Sequence, residues 1–176
     1  IFFLSTLANA ASFNKRSVSA QVQLCVNDIV SVSEQLAVVK ADVDAFTRAG
    51  GYPAALAVHN KEQQLETRLK KAGTDCCAIA STFNTEEADA VLAVISNLVP
   101  DVTASLTSIV NKKPEFDAIL LATVLVKGDI KNLDTQTKTL DTCLIAKTPS
   151  THIDQANAYV ADINNAFSSA KTAYGI

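Results

Sequence analysis

Val18, Val22, Cys25, Ile29, Val32, Leu36, Val39, Val43 and Phe46 succeed one another at steps of four and three residues. That spacing lays a single apolar stripe along one face of one long helix. Gly50-Gly51 supplies the left-handed turn that stops helices, and Pro53 falls where a first helical turn tolerates proline. A second stripe then runs from Ala55 through Glu62, Leu65, Leu69 and Cys76 to Phe83.

The same period returns three more times. Asn84 with Glu87 has the spacing of a capping box, ahead of a third stripe from Ala88 to Ile109. Pro100 interrupts that stripe and predicts a kink, because it cannot donate to the carbonyl of Ser96. Pro114 predicts the start of a fourth helix running unbroken through Phe116, Ile119, Thr123, Val126, Ile130, Leu133, Thr137 and Leu144. Thr151 and Asp154 suggest the cap of a fifth, which carries Ile153, Val160, Ile163, Phe167 and Tyr174. Short loops make sequential helices antiparallel neighbours. The predicted fold is therefore all-α, an up-and-down bundle of five long antiparallel helices in one domain over residues 17–176.

Composition supports this picture and narrows the partners. Gly and Pro are few, and Trp and Met are absent. The net charge is −3, with Lys15 and Arg16 among the few cations near the start, so no basic stripe is available for nucleic acid. Residues 1–16 read as a signal-peptide remnant and a short pro-segment. Ile1-Phe2-Phe3-Leu4 is an apolar run, Ala8-Asn9-Ala10 a small-x-small cleavage site, and Lys15-Arg16 a dibasic site that would leave Ser17 first. No later run reaches the roughly 18 uninterrupted apolar residues of a membrane span. The expected location is secreted, with possible cell-wall association.

Four cysteines in a secreted chain imply two disulfides. Antiparallel placement brings Cys25, Cys76, Cys77 and Cys143 to one end of the bundle. Cys76 and Cys77 point about 100° apart on their helix, so one should reach Cys25 and the other Cys143. Adjacent thiols suit neither a redox pair nor a four-thiolate metal site, so no metal and no cofactor is expected.

Catalytic motifs are absent: there is no P-loop, no Gly-rich dinucleotide turn and no HExxH. His59 and His152 lie near helix starts, where a solvated or capping role outweighs that of a general base. An enzyme is the minority reading. The polar residues within the stripes are the better lead, namely Glu62, Thr123 and Thr137, with Ser105 beside the third stripe. In the plainer account their hydroxyls bond back to the helix and Glu62 swings outward. In the sharper account they meet a ligand's head group in an apolar cavity walled by Val99, Val102, Ile130, Leu133, Val160 and Phe167.

From about Ser17 to Gly175 the layout resembles the fungal hydrophobic surface-binding protein A family, which includes the cell-wall galactomannoproteins. The resemblance is carried by a secretory leader and a helix ending near Asp44-Ala45-Phe46 before Gly50-Gly51. It continues through the helix around Ala54–Leu69, the Val/Leu/Ala-rich third helix, the helix with Leu120 and Lys127-Gly128-Asp129, and an Ala-rich closing helix. It implies a secreted helical bundle that encloses fatty acids, or coats hydrophobic surfaces and recruits secreted esterases. The first expectation is thus a carrier of a fatty acid or similar lipid. The alternatives are a surface-active protein and a helical-bundle enzyme inhibitor.

Overall fold

The apolar stripes emerge as helices in a computed structural model that describes residues 18–176. In chain order they are α1 (Ala20–Ala45), α2 (Gly51–Cys77), α3 (Thr85–Asn111), α4 (Lys113–Asp117), α5 (Ala122–Lys147) and α6 (Ile153–Tyr174). Five are long and α4 is a single short turn, so the bundle has six helices where five were expected. There is no strand among the described residues. The expected leader, the dibasic site and the start at Ser17 lie outside them.

The capping box forms as the sequence predicts. Asn84 accepts the Glu87 N–H, and the Glu87 carboxylate accepts the Asn84 N–H. That carboxylate also accepts the Ser19 N–H at 3.0 Å, which ties the start of α1 to the start of α3. At α6 the cap residue is His152, one residue later than expected, and Thr151 contacts the His152 ring instead. Helix α3 continues through Pro100, which sits exposed to solvent.

Three boundaries differ from expectation. Helix α1 ends at Ala45 because Phe46 turns extended and buries its ring against Phe116, with centroids 4.1 Å apart. A 3-10 turn (Arg48–Gly50) then leads to Gly51 at φ 62°, a conformation that favours glycine. Helix α2 ends at Cys77, and the following link buries Ile79 and Phe83 while the Phe83 N–H donates to the Lys147 carbonyl. The expected fourth helix breaks between α4 and α5, where Leu121 adopts φ 70°. The break lets the chain cross the bundle end and carry Phe116 inside, where it is 1% exposed.

Hydrogen-bond register sets the arrangement. Between α1 and α3 the bonded partners Ser19–Glu87 and Ser33–Asp101 are each 68 residues apart, so these helices are parallel. The α2–α5 pairs His59–Asp129 and Glu66–Gln136 are each 70 apart, again parallel. Between α3 and α6 the separations are 63 and 65, also parallel. The α1–α2 separation instead falls from 43 at Asp28–Lys71 to 26 at Gln35–Lys61, the mark of antiparallel packing. Helices α5 and α6 alternate in direction along the chain and are joined by Lys171–Asp134 at 2.7 Å. The long helices close into a ring in the order α1, α2, α5, α6, α3 and back to α1. Successive helices do alternate in direction, but the expectation that each packs beside its successor fails for α2–α3 and α3–α5. Their links cross the ends of the ring.

Disulfides Cys25–Cys76 and Cys77–Cys143 bind α2 to α1 and to α5 at one end, with Cα–Cα distances of 4.8 and 5.1 Å. They span 51 and 66 residues, and loops of that size gain about 4 kcal/mol each in the chain-entropy picture. Helices α1 and α3 are long and apolar enough to cross a bilayer by length and composition. Each nevertheless buries a stripe within the ring.

Candidate ligand-binding cavity

Five helices in a ring leave an axial space that only large side chains could fill. The stripes supply medium-sized ones. Val32, Leu36, Val39 and Val43 of α1 line a cavity together with residues from all the other helices, and the aromatic walls are only Phe116 and Phe167. Along α3 the lining runs from Ile95 to Ile109, which corresponds to about 21 Å of axis. The centre of a water-sized body can roam about 90 Å³ inside, several times the roughly 10–15 Å³ one water needs. The cavity is thus long and narrow. Its lower limit lies about two helical turns above Cys25 and Cys76, and Phe116 closes the other end.

Several contacts hold that closure. Beside the Phe46–Phe116 stack, the Lys112 ammonium donates to the Phe46 carbonyl at 2.8 Å, and the Arg48 N–H donates to Glu115 at 2.8 Å. Tyr174 is 2% exposed and donates its hydroxyl to the Ile109 carbonyl. Outside, Leu120, Leu121 and Val124 stand exposed at the α4–α5 junction.

Most of the anticipated site residues converge on this cavity. Glu62, Ser105, Thr137, Val102, Ile130, Leu133 and Phe167 all line it. Three anticipated residues do not. Thr123 donates its hydroxyl to Asp117 at 2.7 Å, outside the cavity at the chain break. Val99 is buried in the helix packing, and Val160 lines a separate small void near Leu144 and Ile145. Ser105 follows the plainer account, donating to the Asp101 carbonyl one turn back at 2.7 Å.

Glu62 turns inward, against the plainer account. It is 3% exposed, and one carboxylate oxygen accepts from Gln63 at 2.8 Å while the other has no partner. Across the α2–α5 interface stands Asp129, whose carboxylate meets His59 Nδ1 at 2.8 Å. Ligand atoms of His59, Glu62 and Asp129 all lie within 4.8 Å of one another. Burial, and then the neighbouring Asp129 charge, push Glu62 up to about 8. Burial raises Asp129 to about 7. Deeper in the cavity, burial alone raises Asp141 to about 7, and one of its oxygens also lacks a partner. The wall is thus apolar with three titratable carboxyls, a pattern typical of ligand pockets.

Asp129 stands out in the sequence only within the Lys127-Gly128-Asp129 run of the family resemblance, with no chemistry attached, and Asp141 is marked by no motif. Both occupy polar positions flanking the stripe of α5. Only the parallel seating of α5 on α2 turns Asp129 toward Glu62.

The sequence pattern of the hydrophobic surface binding protein A family matches residues 22–146. Among solved structures, AfMP4p in complex with palmitic acid shares 29% identity, with 87% of this chain and 99% of that chain covered and a TM-score of 0.81. Ligand binding domain 1 of the Penicillium marneffei MP1 protein, complexed with arachidonic acids, is 13% identical, covers 89% and 99%, and gives a TM-score of 0.80. Domain 2 of that protein, complexed with multiple arachidonic acids, is 14% identical, covers 92% and 97%, and gives 0.78. At those lower identities the likeness is one of fold. No curated protein matches the chain. The matched proteins are described by what they bind, a hydrophobic surface or a fatty acid, and none by a reaction.

Proposed function

We propose that this chain, which belongs to the hydrophobic surface binding protein A family, holds a long-chain fatty acid or similar single-chain lipid along the axis of its helical ring. The observation that carries this reading is the narrow apolar cavity about 21 Å long. With carbon–carbon bonds of about 1.5 Å, an extended chain of sixteen carbons reaches about 19 Å, so length and width both suit one acyl chain. The palmitic-acid complex of the relative described above supports the same class of ligand. Two disulfides suit an oxidising, extracellular setting for such a carrier.

Within this reading Thr137, on the cavity wall, is an anchor for the ligand, and Thr123 is not. Native mass spectrometry of the purified protein after exposure to palmitate tests it. A discrete added mass that disappears on delipidation is expected. Absence of any adduct, with strong adsorption to a hydrophobic surface, would overturn it.

Adsorption is the second reading, and one observation favours it. Leu120, Leu121 and Val124 are 86%, 58% and 65% exposed at adjoining positions, an apolar patch outside the closed end of the cavity. Replacing Leu120 and Val124 together by Ser should weaken adsorption and leave palmitate binding unchanged. Unchanged adsorption would dismiss the patch.

A further inference from the structure

Glu62 and Asp129 present a difficulty for any ligand with a carboxylate head. Whichever of the two is ionised repels an anion across a low-dielectric wall, and burying a charge without a cationic partner is costly. Among the described residues no Lys or Arg pairs with either one. Glu66, one turn along α2, is already engaged by Lys70 at 2.9 Å and Gln136 at 2.6 Å. The cluster has a histidine, two carboxylates and an unused Glu62 oxygen, with no Lys or Arg to balance them.

We infer that His59, Glu62 and Asp129 form a binding site for one divalent transition-metal cation of the zinc class, with an open coordination position facing the axial cavity. The donor set is the first argument. One imidazole and two carboxylates match the three-protein-ligand pattern in which a fourth position is left to water or a ligand. An all-oxygen site would suit calcium, magnesium or manganese, and the imidazole turns preference toward zinc and the other later first-row metals. The placement is the second. His59 and Glu62 lie three residues apart on one face of α2, and Asp129 faces them from α5, as metal ligands from facing helices do in bundle cores.

The third argument is geometry. Bonds of about 2.0–2.2 Å around a tetrahedral ion set the ligand atoms about 3.3–3.6 Å apart. The three groups already lie within 4.8 Å of one another, and small side-chain rotations suffice, with the 2.8 Å contact between His59 and Asp129 opening to admit the ion. Gln63 holds the second Glu62 oxygen at 2.8 Å, orienting the carboxylate so that the free oxygen is the one available. Half-buried His59 gives the ion a route from solvent.

Two negative charges and one divalent cation neutralise each other. In the fatty-acid reading above, on which this part of the inference rests, the cation becomes the counter-ion for the ligand's carboxylate, filling the open position. The neutralised wall no longer repels the head group, which the ion holds by coordination.

The experiment is calorimetric titration of the full chain, delipidated and stripped with chelator, with zinc alone. Cobalt absorption then reports coordination number. One saturable equivalent is expected, weakened at least tenfold in Glu62→Gln and in His59→Ala. His152→Ala, which removes the contacts with Thr151 and Asp89 far from the cluster, should bind zinc as the parent does. Thermal melts establish that each variant is folded, and half-buried His59→Ala serves if Glu62→Gln does not fold. No saturable binding in the parent overturns the site, as does binding retained in both His59→Ala and Glu62→Gln. Palmitate binding measured in chelator separates the two readings. Palmitate retained without zinc binding rejects the metal site alone, and zinc bound without any palmitate uptake rejects the carrier alone.

Discussion

Asp141 offers the sharpest test of the cavity's electrostatics. Its carboxyl lines the cavity, one oxygen has no partner, and burial alone raises it from 3.8 to about 7. In the unfolded chain the group titrates near its ordinary value, so between about pH 4 and pH 7 the folded state holds a proton that the unfolded state has lost. Stability therefore falls as pH rises through that window and is level above it. The rise to about 7 corresponds to about 4 kcal/mol of stability lost by pH 8. Asp141→Asn cannot ionise and removes this dependence. The buried amide adds a pH-independent offset of about 1–3 kcal/mol, so the diagnostic is the change in the difference between the two proteins, not its value at one pH. Urea unfolding in chelator at pH 4 and pH 8 measures it. The variant should gain on the parent by up to about 4 kcal/mol between the two. A difference that stays constant across that range would refute the assignment, showing that Asp141 is solvated in the folded state.

Other expectations follow from the closed end and the staples. Phe116→Ala removes the stopper and its stack with Phe46, costing about 3–5 kcal/mol. It should also speed release of a bound fluorescent fatty acid in stopped flow, and an unchanged release rate would show that ligand leaves by another route. Leu121→Gly relieves a left-handed backbone at φ 70° and should raise stability by about 1 kcal/mol in chemical denaturation. Destabilisation would mean that the exposed leucine side chain makes a contact that matters. Replacing Cys77 and Cys143 by Ser opens the bridge spanning 66 residues and should cost about 2–5 kcal/mol. A melt indistinguishable from the parent's would remove that bridge from the account of stability. Below about pH 4 all forms should weaken, because Glu87 and Asp134 have lowered values set against their burial by hydrogen bonds. Protonating them loses that contribution.

The stripes on α1, α3 and α6 are legible because each buried face repeats at helical spacing within a few turns. The break at Leu121 is not. Its cause is Phe116 entering the end of the ring beside Phe46, a residue 70 positions earlier, and no Gly or Pro marks the spot. Glu62 was visible as a polar residue in an apolar stripe. Whether it faced in or out depended on Asp129 and on the packing of α5. Thr123 shows the opposite error: it keeps its stripe position on α5, but in the first turn its hydroxyl is taken by Asp117 and it lines no part of the cavity.

What the chain determines alone is local and periodic: helix faces, the Asn84–Glu87 cap, the end of the molecule where the cysteines meet. These rest on interactions between residues a few positions apart, or on the direction in which successive helices run. The order of helices around the ring belongs to the tertiary structure, because links that cross the ends admit several neighbours for the same stripe. That order seats α5 parallel on α2, opens the axis, and sets His59, Glu62 and Asp129 within 4.8 Å. The physical reason is that a stripe specifies burial, and burial has no partner preference until the packing of the whole ring supplies one.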